Sequence, residues 1–497
     1  MVRCPVFAKT DHQLTNKVRG QKIVRPLFEV DMSPRISNEL AAPFTPVKST
    51  VGSKSDTPLK TLLLSNTPYH SNSVEKNKLI NSLLDLIVEV NLPISIVDHP
   101  ALVKYTSHLN NRFRIPCRQT YTNTIIPQKS KDRKEVLKTI LGGIEHCSLT
   151  CDGWTSVGHN SYLGVTVHFA VEWELKSYIL ALKHVQKSHT AENLLTEIKE
   201  LMTKWEINHK VVTVSADGAY NIKKAIQTST ELEYVNCLAH LLNLVVKVLF
   251  EAEDVMPLIT KCRKLVGTFK HSTTLSEQLT NTIRTLHSKA KPLYVDEDQE
   301  VGLDLETLEE LETLIDSDKS GKSLRTKLVQ DLVTRWNSTL AMLISISESH
   351  SAIRLVITSD PERRAKYQHE LLTDLELVII EDLIVLLDPF LEMTKLVSGS
   401  KYVTISVVLP AITTLLECLA LFEPTKGNEF LRDVAVKMFD NLNDRTTKHF
   451  ENRLMLAATF MDPRYRNFKF IKDQSDRDIA IFRAEAYIKS VFANKFR

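Results

Sequence analysis

Hydrophobic residues change their spacing twice along this chain. From Val74, apolar positions recur at three- and four-residue steps, are interrupted at Pro93 and resume near Pro100, which predicts helices with Pro100 in a first turn. Between about 147 and 190, β-branched and aromatic residues alternate or run together between turn signals, which predicts three successive strands in an antiparallel meander. After about residue 250 amphipathic helices are predicted instead.

The stretch from 191 to 250 alternates between the two patterns. AENLLTEIKELMTKWEI predicts a helix, HKVVTVSAD a short buried strand, GAYNIKKAIQTS a helix, EYVNCLAH a strand and LLNLVVKVLF a helix. A meander followed by helix, strand, helix, strand and helix is the element order of an RNase H-like fold. We therefore predict the class α/β plus all-α: an RNase H-like core, with a mixed five-stranded sheet and flanking helices, interrupted by a large helical insertion.

Composition and pattern together predict five regions. They are a disordered, mildly basic Ser/Thr/Pro tail (1–75), a small helical segment for DNA binding or dimerisation (76–140), the RNase H-like core (141–250), the helical insertion with an acidic loop at 295–318 (251–470), and the start of a truncated C-terminal region (471–497).

Composition limits the class of protein. The 497 residues carry a formal net charge of +3, so any DNA contact must come from local patches and not from a general basic field. Seven scattered cysteines are too few and too irregular for a disulfide framework, which predicts a reducing compartment. We find neither a signal-peptide core nor a run of about 18 uncharged apolar residues, so no membrane partner is expected.

Two aspartates stand where metal-binding carboxylates could meet. Asp152 lies in the first predicted strand of the core, and Asp217 ends a later buried strand immediately before Gly218. In the predicted strand order both come to one edge of the sheet, where their oxygens would suit Mg²⁺ or Mn²⁺ in phosphodiester chemistry. Such a site needs a third acid. On spacing alone, the simpler interpretation is that each Asp ends a strand or caps a helix.

Six stretches, taken in order and spacing, resemble hAT-superfamily transposases and their domesticated, zinc finger BED domain-containing relatives. They are LPISIVDHPALVKYTSHLNNRFRIPCR (92–118), CDGWTS (151–156), SADGAYNIKKAI (215–226), CLAHLLNLVV (237–246), TRWNSTLAML (334–343) and LAATFMDPRY (456–465). The resemblance extends over most of the chain.

The resemblance implies roles for single residues. Asp152 and Asp217 match the first two catalytic acids of the family, and Cys237 and His240 match its Cys-x-x-His element, in which His240 would help to place the scissile phosphate. The alternatives are a hydrogen-bonded histidine at a strand-to-helix junction and a small buried cysteine. Trp336 matches a tryptophan that stacks on a flipped base, and a core tryptophan that anchors helices is the competing interpretation.

The sequence also departs from the family pattern. The family's final acid is a glutamate in a C-terminal segment that builds the dimer, and no stretch after Tyr465 resembles it, so we expect both to be missing. No BED zinc finger precedes the helices, and zinc is not expected. A zinc site built from Cys147, Cys151, Cys237 and His240 is a weak alternative.

A basic segment is the predicted DNA footprint, together with the tail. RFRIPCRQTYTNTIIPQKSKDRKEVLK carries Tyr121 between seven cations, which are Arg112, Arg114, Arg118, Lys129, Lys131, Arg133 and Lys134. Such a cluster would make salt-sensitive phosphate contacts. A solvated helix face accounts for the same residues equally well.

These features predict a hAT transposase-derived nuclear protein that is catalytically incomplete and acts by binding DNA or partner proteins, with transcription regulation as one outcome. It would need no cofactor and no small-molecule substrate, and any homo-oligomer would form without the C-terminal module. One alternative is a truncated or active Mg²⁺-dependent transposase or nuclease, with a third acid from the region of Glu451 or Asp462. Another is a non-functional fragment.

Overall fold

The computed structural model describes residues 67–495, apart from 157, 186–187, 189, 231, 291–325 and 333–335. These residues belong to two compact units, one ending at Gly143 and one beginning at Ile144. Nearly all of the predicted tail at 1–75 and the whole predicted acidic loop at 295–318 lie outside the described residues.

The first unit is helical. Its elements are α1 (Val74–Glu89), a 3₁₀ turn (Ile94–Asp98), α2 (Pro100–Leu109), α3 (Arg118–Thr120), a π-helical turn (Tyr121–Ile125) and α4 (Ile126–Gly143). The Ser73 side chain caps α1 by accepting a hydrogen bond from the backbone of Lys76, and Pro100 opens α2 as the sequence predicts. A small core includes Leu84, Ile87, Val97 and Tyr121.

One mixed sheet stands at the centre of the second unit. Its strands are β1 (Cys147–Thr155), β2 (Ser161–Val171), β3 (Glu174–His184), β4 (Val211–Ala216) and β5 (Glu233–Asn236), in the order β3-β2-β1-β4-β5. The β1–β2 and β2–β3 pairs are antiparallel, whereas the β1–β4 and β4–β5 pairs are parallel. The predicted RNase H-like arrangement is confirmed.

The two faces of the sheet are covered differently. One face is packed, and α5 (Ala191–Lys204) lies over it, with Glu197 paired to Lys183 of β3. Its buried side chains alternate along β2 as Leu163, Val165, Val167 and Phe169. On the opposite face of β3, Ile179 and Leu182 are 74% and 64% exposed. In the described part of the chain, the face of β1–β3 opposite α5 is therefore open.

Helices follow both parallel strands. α6 (Tyr220–Thr228) joins β4 to β5, and α7 (Leu238–Phe250) follows β5. The sequence pattern continues the last strand through CLAH, and this boundary is wrong, because β5 ends at Asn236. The backbone N–H of Cys237 donates to the carbonyl of Ala216, after which the apolar residues from Leu238 onward are buried at helical spacing.

Helices form the remainder of the described second unit. They are α8 (Met256–Lys270), α9 (Thr273–Ala290), α10 (Trp336–Thr358), α11 (Pro361–Tyr367), α12 (Asp374–Val397), α13 (Val408–Ala420), α14 (Phe430–Thr446), α15 (Arg453–Met461) and α16 (Gln474–Lys495), with 3₁₀ turns at Gln368–Glu370, Ile405–Val407 and Thr447–His449. Their buried side chains form one main core with those of α7. Among the described helices, α10 alone is long and apolar enough to cross a membrane, and it is more than half buried in this core.

A buried ion pair joins two parts of the helical region. The Asp331 side chain is 1% exposed, and its Oδ2 accepts hydrogen bonds from Nε of Arg263 at 2.9 Å and from the Thr339 hydroxyl at 3.0 Å. Burial acts to raise the pKa of Asp331, but the hydrogen bond and charge of Arg263, together with the hydrogen bonds from Thr339 and Gln330, outweigh it, so the pKa lies below its ordinary value. The pair thus fixes the backbone shortly before α10.

We predict that Arg263→Ala lowers the free energy of unfolding by about 3 kcal/mol at neutral pH, because the Asp331 carboxylate stays buried without its cation. The stability linked to the lowered pKa is present above the unfolded value of about 4 and is lost as the pH falls through the folded value. Urea unfolding near pH 7 and near pH 3 should therefore show the difference shrinking in acid.

Arg354→Ala is the control for this prediction. It removes an exposed pair with Asp374, which should contribute less than about 1 kcal/mol. Equal losses in the two variants would contradict the role given to the buried pair.

Candidate functional site

Asp152 and Asp217 come to one edge of the sheet. The parallel register pairs Cys151 of β1 with Ala216, the last residue of β4, so each aspartate is the next residue along its chain. Asp152 is exposed and Asp217 is half-buried. From Asp152 onward, β1 continues to Thr155 with β2 alone beside it. The structure brings the two predicted carboxylates to neighbouring positions.

The Tyr234 hydroxyl of β5 reaches the chain at Asp217, with Asn236 beside it. The Tyr234 hydroxyl lies 2.9 Å from the main-chain carbonyl oxygen of Asp217 and 3.2 Å from Oδ1 of Asn236, and it can donate to either. Burial first, and then the Asp217 carboxylate, raise the pKa of Tyr234, so the hydroxyl keeps its proton and remains a donor. Sequence reasoning missed both residues, although EYVNC places them just before the predicted Cys-x-x-His element.

Two helices begin at the same edge. α6 starts shortly after Asp217, and α7 starts after Cys237, whose backbone N–H lies 2.9 Å from the carbonyl oxygen of Ala216. His240 is half-buried in the first turn of α7. The N-cap residues Ala219 and Cys237 make no side-chain capping hydrogen bond. Helix N-termini carry partial positive charge and suit an anion such as phosphate.

The carboxylates at this edge are of the type that Mg²⁺ binds, but the described residues supply too few of them. Carboxylate oxygens are ligands that Mg²⁺ takes. Among the described residues, however, no third His, Cys, Asp or Glu joins Asp152 and Asp217 in a group that could hold a metal. The described residues of this edge therefore offer an incomplete set of metal ligands.

The acids considered as third ligands lie in other surroundings. Oδ2 of Asp462 is 2.7 Å from Nη2 of Arg464 and 2.8 Å from the Ser406 hydroxyl, and the Arg464 hydrogen bond holds the pKa of Asp462 at about 2. Glu451 lines a cavity of about 610 Å³ together with residues of α13, α14 and α16. Asp462 is thus already paired with Arg464 and Ser406, and Glu451 lies at a cavity of the helical region.

The chemistry of the core cysteines does not favour zinc. Burial raises the pKa of Cys147 to about 11 and that of Cys151 to about 12, which disfavours the thiolate that a metal needs. Cys237 and His240 join no metal-binding group of three within the described residues. The donor set therefore does not fit the zinc alternative.

Trp336 opens α10 in the main core of the helical region, where it is 7% exposed. This position matches the interpretation as a helix-anchoring tryptophan. Stacking on a base would require the ring to leave that core, and the stacking role stays a prediction.

The seven cations of the predicted DNA footprint are not equally available. The Arg112 guanidinium lies over the Tyr69 ring, 4.5 Å from its centroid. Lys129 and Arg133 contact α1 through Asn81 and Asp85, at 3.4 and 3.2 Å. The remaining four are exposed, namely Arg114, Arg118, Lys131 and Lys134.

Tyr121 does not belong to this footprint. It is fully buried in the small core of the first unit, and burial raises its pKa to about 12. The expectation that it lies between the cations as an available contact is wrong, because the π-helical turn directs it inward, towards the side chains of Leu84 and Ile87.

Comparisons with known proteins agree with this fold. A family model described as the ZBED1 RNase-like domain matches residues 150–240. The chain is 26% identical over 400 residues to a Zea mays protein named as an AC transposase. This alignment covers 76% of this chain and 44% of that protein. It is 26% identical over 349 residues to the transcriptional regulator named tpeD of Talaromyces stipitatus, covering 65% and 38%. It is 23% identical over 309 residues to zinc finger BED domain-containing protein RICESLEEPER 2 of Oryza sativa subsp. japonica, covering 59% and 38%.

The sheet and its helices thus define a protein with an RNase H-like core. With the ordered motifs, the comparisons support a transposase-derived protein of the hAT family. The chain spans less than half the length of these curated relatives.

We predict that Tyr234→Phe lowers the free energy of unfolding by about 1 kcal/mol, because the half-buried oxygens of Asp217 and Asn236 lose a hydroxyl donor. The raised pKa of Tyr234 adds stability below the unfolded value of about 10, and this stability is lost as the pH rises through the folded value. Urea unfolding near pH 8 and near pH 10.5 should show the larger alkaline loss in the unmodified protein.

Tyr178→Phe is the control, since no hydroxyl hydrogen bond of Tyr178 is found in the described part of the chain. If it changed stability as much as Tyr234→Phe, the specific role of the Tyr234 hydroxyl would be refuted.

Proposed function

We propose that this chain is a nuclear DNA-binding protein derived from a transposase, and that by itself it does not cut DNA. DNA would contact the carboxylate edge, by which we mean Asp152, Asp217 and the first turns of α6 and α7. The observation that carries the proposal is this juxtaposition of two phosphate-suited helix N-termini with paired carboxylates. Binding of partner proteins and regulation of transcription are compatible with the same surface.

Three features support this proposal. The family match covers the strands and helices that build the carboxylate edge, and the relatives include transposases and a protein named as a transcriptional regulator. Exposed cations of the first unit offer phosphate contacts. Cutting a phosphodiester with paired carboxylates needs further metal ligands, and the described residues supply no group of three. The nuclear location is proposed because DNA is the proposed partner.

An active Mg²⁺- or Mn²⁺-dependent transposase or nuclease is the second candidate. The same neighbouring aspartates favour it, because their register suits a shared cation. It requires a further ligand that Asp152 and Asp217 do not find among the described residues.

A cleavage and binding assay distinguishes the two candidates. Labelled DNA is incubated with Mg²⁺ or Mn²⁺ and with the unmodified chain, Asp152→Asn or Asp217→Asn. We expect no metal-dependent product.

Without divalent metal, we expect each variant to bind DNA roughly fivefold more tightly than the unmodified chain, the effect of one unit charge about 4 Å from a phosphate in water. Asp433→Asn, at an exposed position of α14, is the control and should leave affinity unchanged. Metal-dependent cutting that is lost in both site variants would establish the enzyme.

Charge reversal tests the footprint on the first unit. Replacement of Arg114, Arg118, Lys131 and Lys134 by Glu should weaken DNA binding and reduce the slope of log affinity against log salt by about 0.9 for each lost phosphate contact. The matched control reverses four exposed lysines of the helical region, namely Lys426, Lys437, Lys448 and Lys469. Equal affinities of the two variants would mean that the cluster is a solvated helix face.

A further inference from the structure

Three rings form a row across the open face of the sheet. Trp154 of β1 pairs in register with Tyr162 of β2, which pairs with His184 of β3. The Trp154 and Tyr162 rings are stacked, with centroids 5.7 Å apart and planes at 22°, and the His184 ring is 5.4 Å from that of Tyr162. This ring row begins two residues beyond Asp152, on the same side of β1.

Packing of the sheet does not account for the ring row. A second ring contact, between the diagonal neighbours Phe169 of β2 and Tyr178 of β3, has similar ring geometry, with centroids 5.9 Å apart and planes at 18°. That pair belongs to the packed face, where Phe169 is 4% exposed. Trp154, in contrast, is 43% exposed, and His184 is exposed as well. The ring row therefore presents aromatic surface to solvent.

Gly164 lets the indole of Trp154 lie close to the sheet. Gly164 is the cross-strand partner of Asp152, and a Cβ placed on it would be 3.2 Å from Cζ3 of Trp154, which is tighter than ordinary contact. The indole thus passes over the residue paired with Asp152. The ring row and the carboxylate edge form one continuous surface.

We infer that the ring row is a stacking platform for an unpaired nucleotide of a DNA strand that lies on the carboxylate edge, an inference that rests on the proposed function. Aromatic side chains bind a base through its π-face, which is covered in an intact duplex. Phosphates suit the adjacent helix N-termini, while a base suits the rings. The phosphate of a nucleotide would thus face the helix N-termini, while its base would lie on the ring row.

Binding of single-stranded DNA against duplex tests the inference. The full chain is titrated with a labelled 20-nucleotide single strand and with its blunt duplex. Trp154→Ala should weaken single-strand binding by roughly 5- to 150-fold, the range expected for loss of base stacking, and change duplex binding by less than about twofold. Trp154→Phe should retain most of the single-strand affinity. Trp173→Ala removes the fully exposed tryptophan at the β2–β3 turn and should change neither affinity.

Fluorescence gives a second readout that needs no destabilising change. In a Trp173→Phe chain three of the four tryptophans remain, and Trp205 and Trp336 are only 4% and 7% exposed. Quenching by the single strand that is lost when Trp154→Phe is added to this chain, with little quenching by the duplex, would therefore report on Trp154. If neither DNA form binds, the proposed function fails. If DNA binds but Trp154→Ala behaves like Trp173→Ala and no quenching occurs, the stacking platform is wrong while the proposed function stands.

Discussion

The parallel pairing of β1 with β4 determines where every group of the carboxylate edge lies. This pairing is irregular at its start, since Cys147 is level with Val211 whereas Ser148 is level with Thr213. Without that shift, Asp152 would be level with Ala216, and Asp217 would lie one residue further along. The Thr213 hydroxyl donates to the Ser148 hydroxyl at 2.9 Å directly after the shift, which fixes the register that aligns the aspartates.

The helical region packs against β5, the strand beside β4. Val235 of β5 packs against the main helical core, and Asn452 contacts the Glu233 carboxylate at 3.3 Å. α7 contributes His240 to the edge and at the same time begins the main core with its buried side chains. Because interiors are close-packed, a shift of α7 would displace both its buried side chains in the core and His240 at the edge. The helical region thus helps to position β5, Tyr234 and the first turn of α7.

The sequence predicts what depends on local periodicity, and it fails where burial depends on distant partners. Strand order and the adjacency of Asp152 with Asp217 follow from the element order, because successive crossovers place parallel strand ends at one edge. The β1–β4 shift and the Tyr234 hydrogen bonds involve partners far apart in the chain, which spacing does not encode. The burial of Tyr121 is of the same kind, since its charged neighbours in sequence say nothing of the apolar core beneath it.

Charge is the remaining problem for a nucleic acid at this edge. Two neighbouring carboxylates repel a phosphate backbone, and the helix N-termini offset this repulsion only in part, because each carries about half a unit charge. Stacking on the ring row carries no net charge and is not opposed by the aspartates. A DNA strand with unpaired bases can therefore use a contact at this edge that an intact duplex, restricted to phosphate contacts, cannot.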